Sequence, residues 1–166
     1  LSNTPVAQNF VFWQPRIESF PASPNIDLTR IGNETPTLGT DYSGLIETTL
    51  AAVYHHSRGF MKETREPLYV TGGARNSREI LRRVAAIWDR PVIPVEEGGA
   101  ALGAAVAGAC AYLQSIDNRM DIGQYLGTGI LKQEEPVNPA GDDVTNFHRP
   151  GGFLERFAVE EANLLK

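Results

Sequence analysis

The residues with the clearest chemical potential lie in Thr71-Gly72-Gly73-Ala74-Arg75-Asn76-Ser77. They follow an apolar strand, Leu68-Tyr69-Val70, and open a helix predicted from Ser77 to about Asp89. Strand, glycine turn and helix N-terminus together present main-chain N–H groups to an approaching phosphate. The start of a helix also carries a partial charge of about +0.5. Side chains at Asn76 and Ser77 add hydrogen-bond donors there. The structural alternative is a tight strand-to-helix turn with φ > 0, which glycine adopts at no steric cost.

Other chemistries fit less well. No Gly-Lys-Ser/Thr is present, so the P-loop fails. Gly72 to Ser77 does not supply Gly-x-Gly-x-x-Gly, although Glu96 and Glu97 follow the second strand, where an acidic ribose partner sits in dinucleotide folds. That half-match is what supports a nicotinamide-binding reading. Ser77, His148 and Asp142 or Asp143 make a triad on paper, without the Gly-x-Ser-x-Gly elbow. His55 and His56 are adjacent on a helix and diverge by about 100°, so one is expected to pack inside and the other to face water. One cysteine and scattered histidines give no zinc spacing. Glu96-Glu97 and Asp142-Asp143 read most simply as solvated loop charges, without calcium-loop spacing.

The elements that must position the glycine turn follow from periodicity. A helix is predicted from Asp41 to about Glu63, capped by Asp41 or Ser43, with Leu45, Thr49, Ala52, Val53, His56 and Phe60 as its inner stripe. Pro67 stops it and opens the strand. In the helix after the turn, Ile80, Leu81, Val84, Ile87 and Trp88 form the apolar face, and Arg78, Arg82, Arg83 and Asp89 the wet one. Asn76 and Glu79 have capping-box spacing. The strand Pro91–Val95 then pairs in parallel through a right-handed crossover. An uncharged helix from Gly98 or Gly99 to about Gln114 follows, with a ridge of small residues at Gly99, Gly103, Ala107 and Ala111 suited to close contact with another backbone. It is too short and too weakly apolar for a bilayer, so it is expected in the core. Residues 1–40 hold one strand, Asn9–Trp13, among prolines. Asp121–Gly127 is a short helix, Gln133–Asn146 a loop, and Phe153–Leu165 a terminal amphipathic helix resting on Phe153, Leu154, Phe157 and Leu164.

Size and charge set the frame. The chain has 166 residues, 42% hydrophobic and 21% charged, which suits one globular domain spanning 1–166. A net charge of −5, with no basic cluster, argues against nucleic acid as a partner. No segment reads as a signal peptide or a membrane span, and the lone Cys110, inside an apolar run, reads as a buried thiol in a reducing, cytoplasmic setting. The first residue is Leu1, and truncation of a longer protein is the expectation.

Val70-Thr71-Gly72-Gly73-Ala74-Arg75-Asn76-Ser77, a helix, Arg90-Pro91-Val92, then Glu97-Gly98-Gly99-Ala100-Ala101-Leu102-Gly103-Ala104-Ala105 resembles the C-terminal domain of the FGGY carbohydrate kinases, which include xylulose, glycerol, gluconate and ribulose kinases. The similarity is good from Asp41 to Leu113, loose in the tail and poor in residues 1–40. The resemblance implies an α/β fold of the actin-like ATPase, ribonuclease H-like type, with a mixed sheet flanked by helices. It implies the nucleotide-binding half of a two-domain kinase that moves a phosphoryl group from ATP, with Mg2+, to a sugar such as xylulose. Gly72, Gly73 and Ala74 would then meet the phosphate and ribose by backbone, Ser77 would lie near the base, and Asn76 would mainly cap the helix. The catalytic aspartate, the magnesium site and most sugar contacts would belong to the missing N-terminal half. Relatives often carry Arg-Ala and Glu-Gly where this chain has Glu47-Thr48-Thr49-Leu50-Ala51-Ala52, which leaves the sugar open. The implied partners are ATP or ADP and the sugar, with a homodimer as a further option. The alternative is a non-catalytic nucleotide-sensing or scaffolding module of the actin-like superfamily.

Overall fold

Aromatic and β-branched residues at Phe10–Trp13 form β1, which pairs antiparallel with β2, Leu28–Ile31, in the register Phe10↔Ile31. The computed structural model describes residues 5–13, 28–61, 64–95, 99–116 and 134–164. Helix α1, Leu38–Ser57, begins earlier than the apolar periodicity predicts and also ends earlier. Thr37 is its N-cap, and Thr37 and Thr40 cap each other: the Thr40 N–H donates to Thr37 Oγ1 at 3.1 Å and the Thr37 N–H to Thr40 Oγ1 at 2.8 Å. Asp41, expected as a cap, sits in the first turn and pairs with Arg30 of β2 at 2.8 Å.

The buried face of α1 is Ser43, Gly44, Glu47, Thr48, Ala51 and Ser57, whereas Thr49, Val53, His56 and Phe60 of the predicted stripe are exposed. The reason is the partner surface. A Cβ on Gly44 would stand 2.9 Å from the Asn9 carbonyl oxygen and 2.7 Å from Val11 Cγ2, so α1 lies almost against the β1 backbone. At that distance large side chains have no room, and main-chain donors need acceptors. Thr48 Oγ1 accepts the Val11 N–H at 3.1 Å, and Glu47 Oε2 accepts the Ala7 N–H at 2.7 Å.

β3, Leu68–Val70, and β4, Val92–Pro94, pair in parallel in the register Leu68↔Val92, as the strand–helix–strand pattern requires. Val137 bridges antiparallel to Val92 on the other side of β4, which makes this layer mixed. Between the two strands runs α2, Arg78–Trp88, buried at Leu81, Arg83, Val84, Ala85, Ala86 and Ile87. Two apolar clusters meet it. One gathers Phe10, Ala51, Ile87, Phe147, Phe153 and Phe157; the other gathers Leu81, Val84, Ala85, Val92 and Val137.

Arg83 is not on a wet face. It is 1% exposed and its Nε meets Glu47 Oε1, also 1% exposed, at 2.8 Å. Its Nη1 lies 3.5 Å from Asp143 Oδ1, and its Nη2 donates to the Pro5 carbonyl at 3.3 Å. Asp143 also accepts from Arg82 Nη2 at 3.1 Å, so it is no loop charge. It belongs to α4, Gly141–His148, a helix in the stretch that sequence alone reads as loop. The last helix, α5, Phe153–Leu164, buries Phe153 and Phe157 as predicted, with Leu154 half-buried and Leu164 exposed. Asp121–Gly127 lies outside the described residues.

Helix α3, Gly99–Ser115, departs most from expectation. Val106 and Cys110 are buried, but Gly103, Ala107 and Ala111 of the small-residue ridge are exposed, and nothing lies within 4 Å of a Cβ built on Gly103. Among the described residues no backbone meets the ridge at that point, and bulk at Gly103 overpacks none of them. Gly44→Ala should therefore cost roughly 1–3 kcal/mol by overpacking, while Gly103→Ala should add up to about 1 kcal/mol through helix propensity. Urea unfolding of both variants checks the contrast, and equal effects would contradict the packing described.

Burial pushes the Glu47 carboxyl up to about 7, against the Arg83 charge and the Ala7 N–H, which favour ionisation. Glu47 thus holds its proton more tightly folded than unfolded. The stability it contributes is full at pH 4.5 and below, the ordinary carboxylate value, and is lost as pH rises through about 7. Unfolding free energies between pH 5 and pH 8 should show a loss of up to about 3 kcal/mol from this group. In Glu47→Gln that limb should be flat.

Candidate functional site

The glycine turn lies at the C-terminal edge of the parallel pair, the side on which open α/β sheets hold their ligands. Gly72 has φ 77° and ψ −157°, a region essentially reserved for glycine. Gly73 is not in the left-handed region, so the turn's conformational demand falls on the first glycine alone. A single 3-10 turn, Gly73–Asn76, follows, closed by the Arg75 N–H on the Gly72 carbonyl at 3.3 Å and the Ser77 N–H on the Ala74 carbonyl at 3.2 Å. The Gly73 and Ala74 amides stand outside those two bonds. Thr71, Gly72, Gly73 and Asn76 are exposed, and Ala74, Arg75 and Ser77 half-buried. Among the described residues, no atom lies within 4 Å of a Cβ built on Gly72 or Gly73. The backbone is open to a ligand.

Neighbouring contacts fix the turn. Glu134 donates its N–H to the Pro94 carbonyl at 2.9 Å, which brings its carboxylate to Arg75 Nη1 at 2.8 Å. Ser77, not Asn76, caps α2: its Oγ accepts the Ile80 N–H at 3.4 Å, and Asn76 is the last residue of the 3-10 turn. The Asn76–Glu79 box is therefore not formed. Gly72, Gly73, Ala74, Asn76 and Ser77 are contiguous on one surface, as their spacing requires. Glu96 and Glu97 lie outside the described residues.

The alternative constellations are not assembled. Ser77 stands at the N-terminus of α2, whereas His148 Nε2 bonds the Ala86 carbonyl near its other end at 3.1 Å, and Asp143 is held by Arg82 and Arg83. Both His55 and His56 are exposed, with His56 Nε2 3.0 Å from Glu161 Oε1, so neither packs inside. Among the described residues no group of three or more His, Cys, Asp and Glu side chains could hold a metal. Cys110 is buried and free, and no described helix is long and apolar enough to cross a membrane.

Comparison with known proteins identifies the domain. The pattern of the FGGY family of carbohydrate kinases, C-terminal domain, matches residues 6–112. The chain belongs to the FGGY family of carbohydrate kinases. The match starts far upstream of Asp41 and takes in β1 and β2, so the strands before α1 are part of the family's domain despite their unremarkable sequence. Among solved structures, the xylulose kinase from Rhodospirillum rubrum matches at a TM-score of 0.65 and 21% identity over 98% of this chain and 32% of that one. Ligand-bound xylulose kinase and gluconate kinase, both from Lactobacillus acidophilus, match at 0.61 and 0.59, each 18% identical over 83% of this chain and 27% of theirs. These likenesses show the fold, the actin-like ATPase, ribonuclease H-like α/β type. This chain spans a third or less of the length of each. A search of curated protein sequences finds no match.

Gly72→Ala should lower stability by about 1–3 kcal/mol through backbone strain, and Gly73→Ala should stay within about 0.5 kcal/mol of the parent. Thermal unfolding of the pair separates them. A larger loss at Gly73 would place the strained φ at the wrong glycine.

Proposed function

We propose that this chain is the nucleotide-binding half of an ATP-dependent sugar kinase, with the Gly72–Ser77 turn as the seat of the nucleotide's anionic end. The observation that carries the reading is the open, exposed backbone at Gly72 and Gly73, set between the end of β3 and the start of α2. Glycine at both positions lets a phosphate reach main-chain amides, and the partial positive charge at the start of α2 favours it there. In this reading Gly72, Gly73 and Ala74 bind by backbone, Ser77 orients the first turn of α2 beside the base, and Asn76 offers an exposed amide at the rim.

Mg2+-bound ATP supplies the phosphoryl group, and the acceptor is a sugar hydroxyl, a pentulose such as xylulose fitting the structural neighbours best. Phosphoryl transfer rests on positioning and charge stabilisation. The residues described here position one substrate and include no group placed to take the hydroxyl proton, so the base, the metal site and the sugar contacts are assigned to the remainder of a longer, cytoplasmic protein. By itself the chain should bind ADP weakly and phosphorylate nothing.

Calorimetric titration with ADP tests the site. Gly73→Val should weaken binding at least tenfold while the unfolding midpoint stays put, because the side chain enters open space above the turn. Unchanged ADP affinity in that variant would remove the site assignment, and sugar phosphorylation by residues 1–166 alone would remove the division of labour.

A further inference from the structure

Helix α3 is the element least served by the rest of this chain. From Gly98 to Ile116 the sequence holds no charged residue. Among the described residues, however, α3 contributes to neither apolar cluster. Val106 and Cys110 are buried, and Ala109 and Leu113 half-buried. Gly103, Ala107, Ala111, Ala104, Gly108 and Tyr112 are exposed. Taken in that order they run around the helix through an arc of about 180°, at roughly 100° per residue. Tyr112 is 65% exposed and Ile116, just past the helix, 55%. A helix face meant for water carries charged and polar side chains, and a helix apolar all round is a covered one.

A second copy of α3 is a poor cover. The helix is about 25 Å long and a contact strip about 10 Å wide. That is roughly 250 Å² a side, against about 800 Å² for a stable association. One packed neighbour also spans roughly 100° of arc, short of the face exposed here. The place of α3 in the fold points to a larger occupant. The Val95 N–H donates to the Val70 carbonyl at 2.9 Å, and Val70 directly precedes the glycine turn. The chain enters α3 at Gly99, so the helix leaves the same edge of the parallel pair as that turn. The similar solved kinases are three times as long as this chain or more.

We propose that the exposed face of α3 seats the part of the protein N-terminal to Leu1, an assignment that rests on the reading of this chain as one half of a two-part kinase. The helix inserts into an apolar groove of that half, where its glycines and alanines let the backbones approach closely. The joint then lies beside the proposed nucleotide seat and fixes the two halves at that edge of the sheet.

Thiol labelling reads the cover directly. Ala107→Cys exchanges one small exposed residue for another, and the native Cys110, which is buried, is the slow background. The introduced thiol should react readily with a maleimide in residues 1–166 and at least tenfold more slowly in the full-length protein. Ala104→Glu should leave the unfolding midpoint of residues 1–166 unchanged and lower that of the full-length protein, where the charge would be buried without a partner. Equal labelling rates in the two proteins would overturn the proposal. Slow labelling in residues 1–166 at every concentration would also overturn it, because the face is then covered within this chain. Protection that grows with the concentration of residues 1–166 would overturn it in favour of a second copy. ADP affinity is read at the glycine turn and not at α3. Unchanged ADP binding in Gly73→Val would therefore remove the nucleotide seat without altering these rates, and equal rates would leave the nucleotide seat standing.

Discussion

Arg83 is the residue the architecture turns around. Burying a guanidinium and two carboxylates costs several kcal/mol per charge, and only close pairing offsets that. Here the partners come from separate elements: Glu47 from α1, Asp143 from α4 and the Pro5 carbonyl from the segment before β1. Glu47 is tied a second time, to the Ala7 amide. The full set of these contacts cannot be made by two elements alone, so it is complete only when α1, α2, α4 and the N-terminal segment are all in place. The apolar clusters supply the bulk of the driving force without such selectivity, since Phe10, Phe147, Phe153 and Phe157 pack in many arrangements.

That constraint sets the rotation of α2 about its axis, and the rotation reaches the glycine turn. With Arg83 directed at Glu47 and Asp143, Leu81, Val84 and Ala85 fall on the β4 and Val137 side. The first turn of α2 then starts where β3 delivers the chain, and Ser77 closes it. The Val137 bridge to β4 carries Glu134 to Arg75. An exposed ion pair of this kind adds little stability, about 0–1 kcal/mol, but it holds the turn's side chain away from its glycines.

The parts legible in the sequence are those whose shape is set locally. β1, β3, β4, α2 and the terminal helix follow from short apolar runs, a strong 3.6-residue stripe and turn residues, and the parallel pairing follows from their order. What stayed hidden depends on a partner surface. The inner face of α1 is small and polar because it serves the β1 backbone, so its apolar residues pointed to the wrong side. Arg83 and Asp143 look like surface charges until they are brought together from 60 residues apart in sequence. The helix Gly141–His148 is only eight residues long and starts at glycine after alanine, with no side-chain cap to announce it. The strands of residues 6–40 pair across a proline-rich stretch, a relation that no local pattern encodes, yet the family match begins there.

The glycine turn, the proposed nucleotide seat, is the complementary case, specified without the core. Among the described residues no atom packs over Gly72 or Gly73, so their side chains do not hold the turn's shape. The shape comes from one residue in a glycine-only conformation, two short-range backbone bonds and a serine cap, all within Gly72–Ile80. A cradle built that way stays open to solvent and still presents its amides in a fixed direction, because its order derives from backbone geometry and from the helix that continues it. Order of that kind suits the proposed anion seat, since packing that covered the glycines would also exclude a ligand. The same independence explains why so little sequence suffices to mark it.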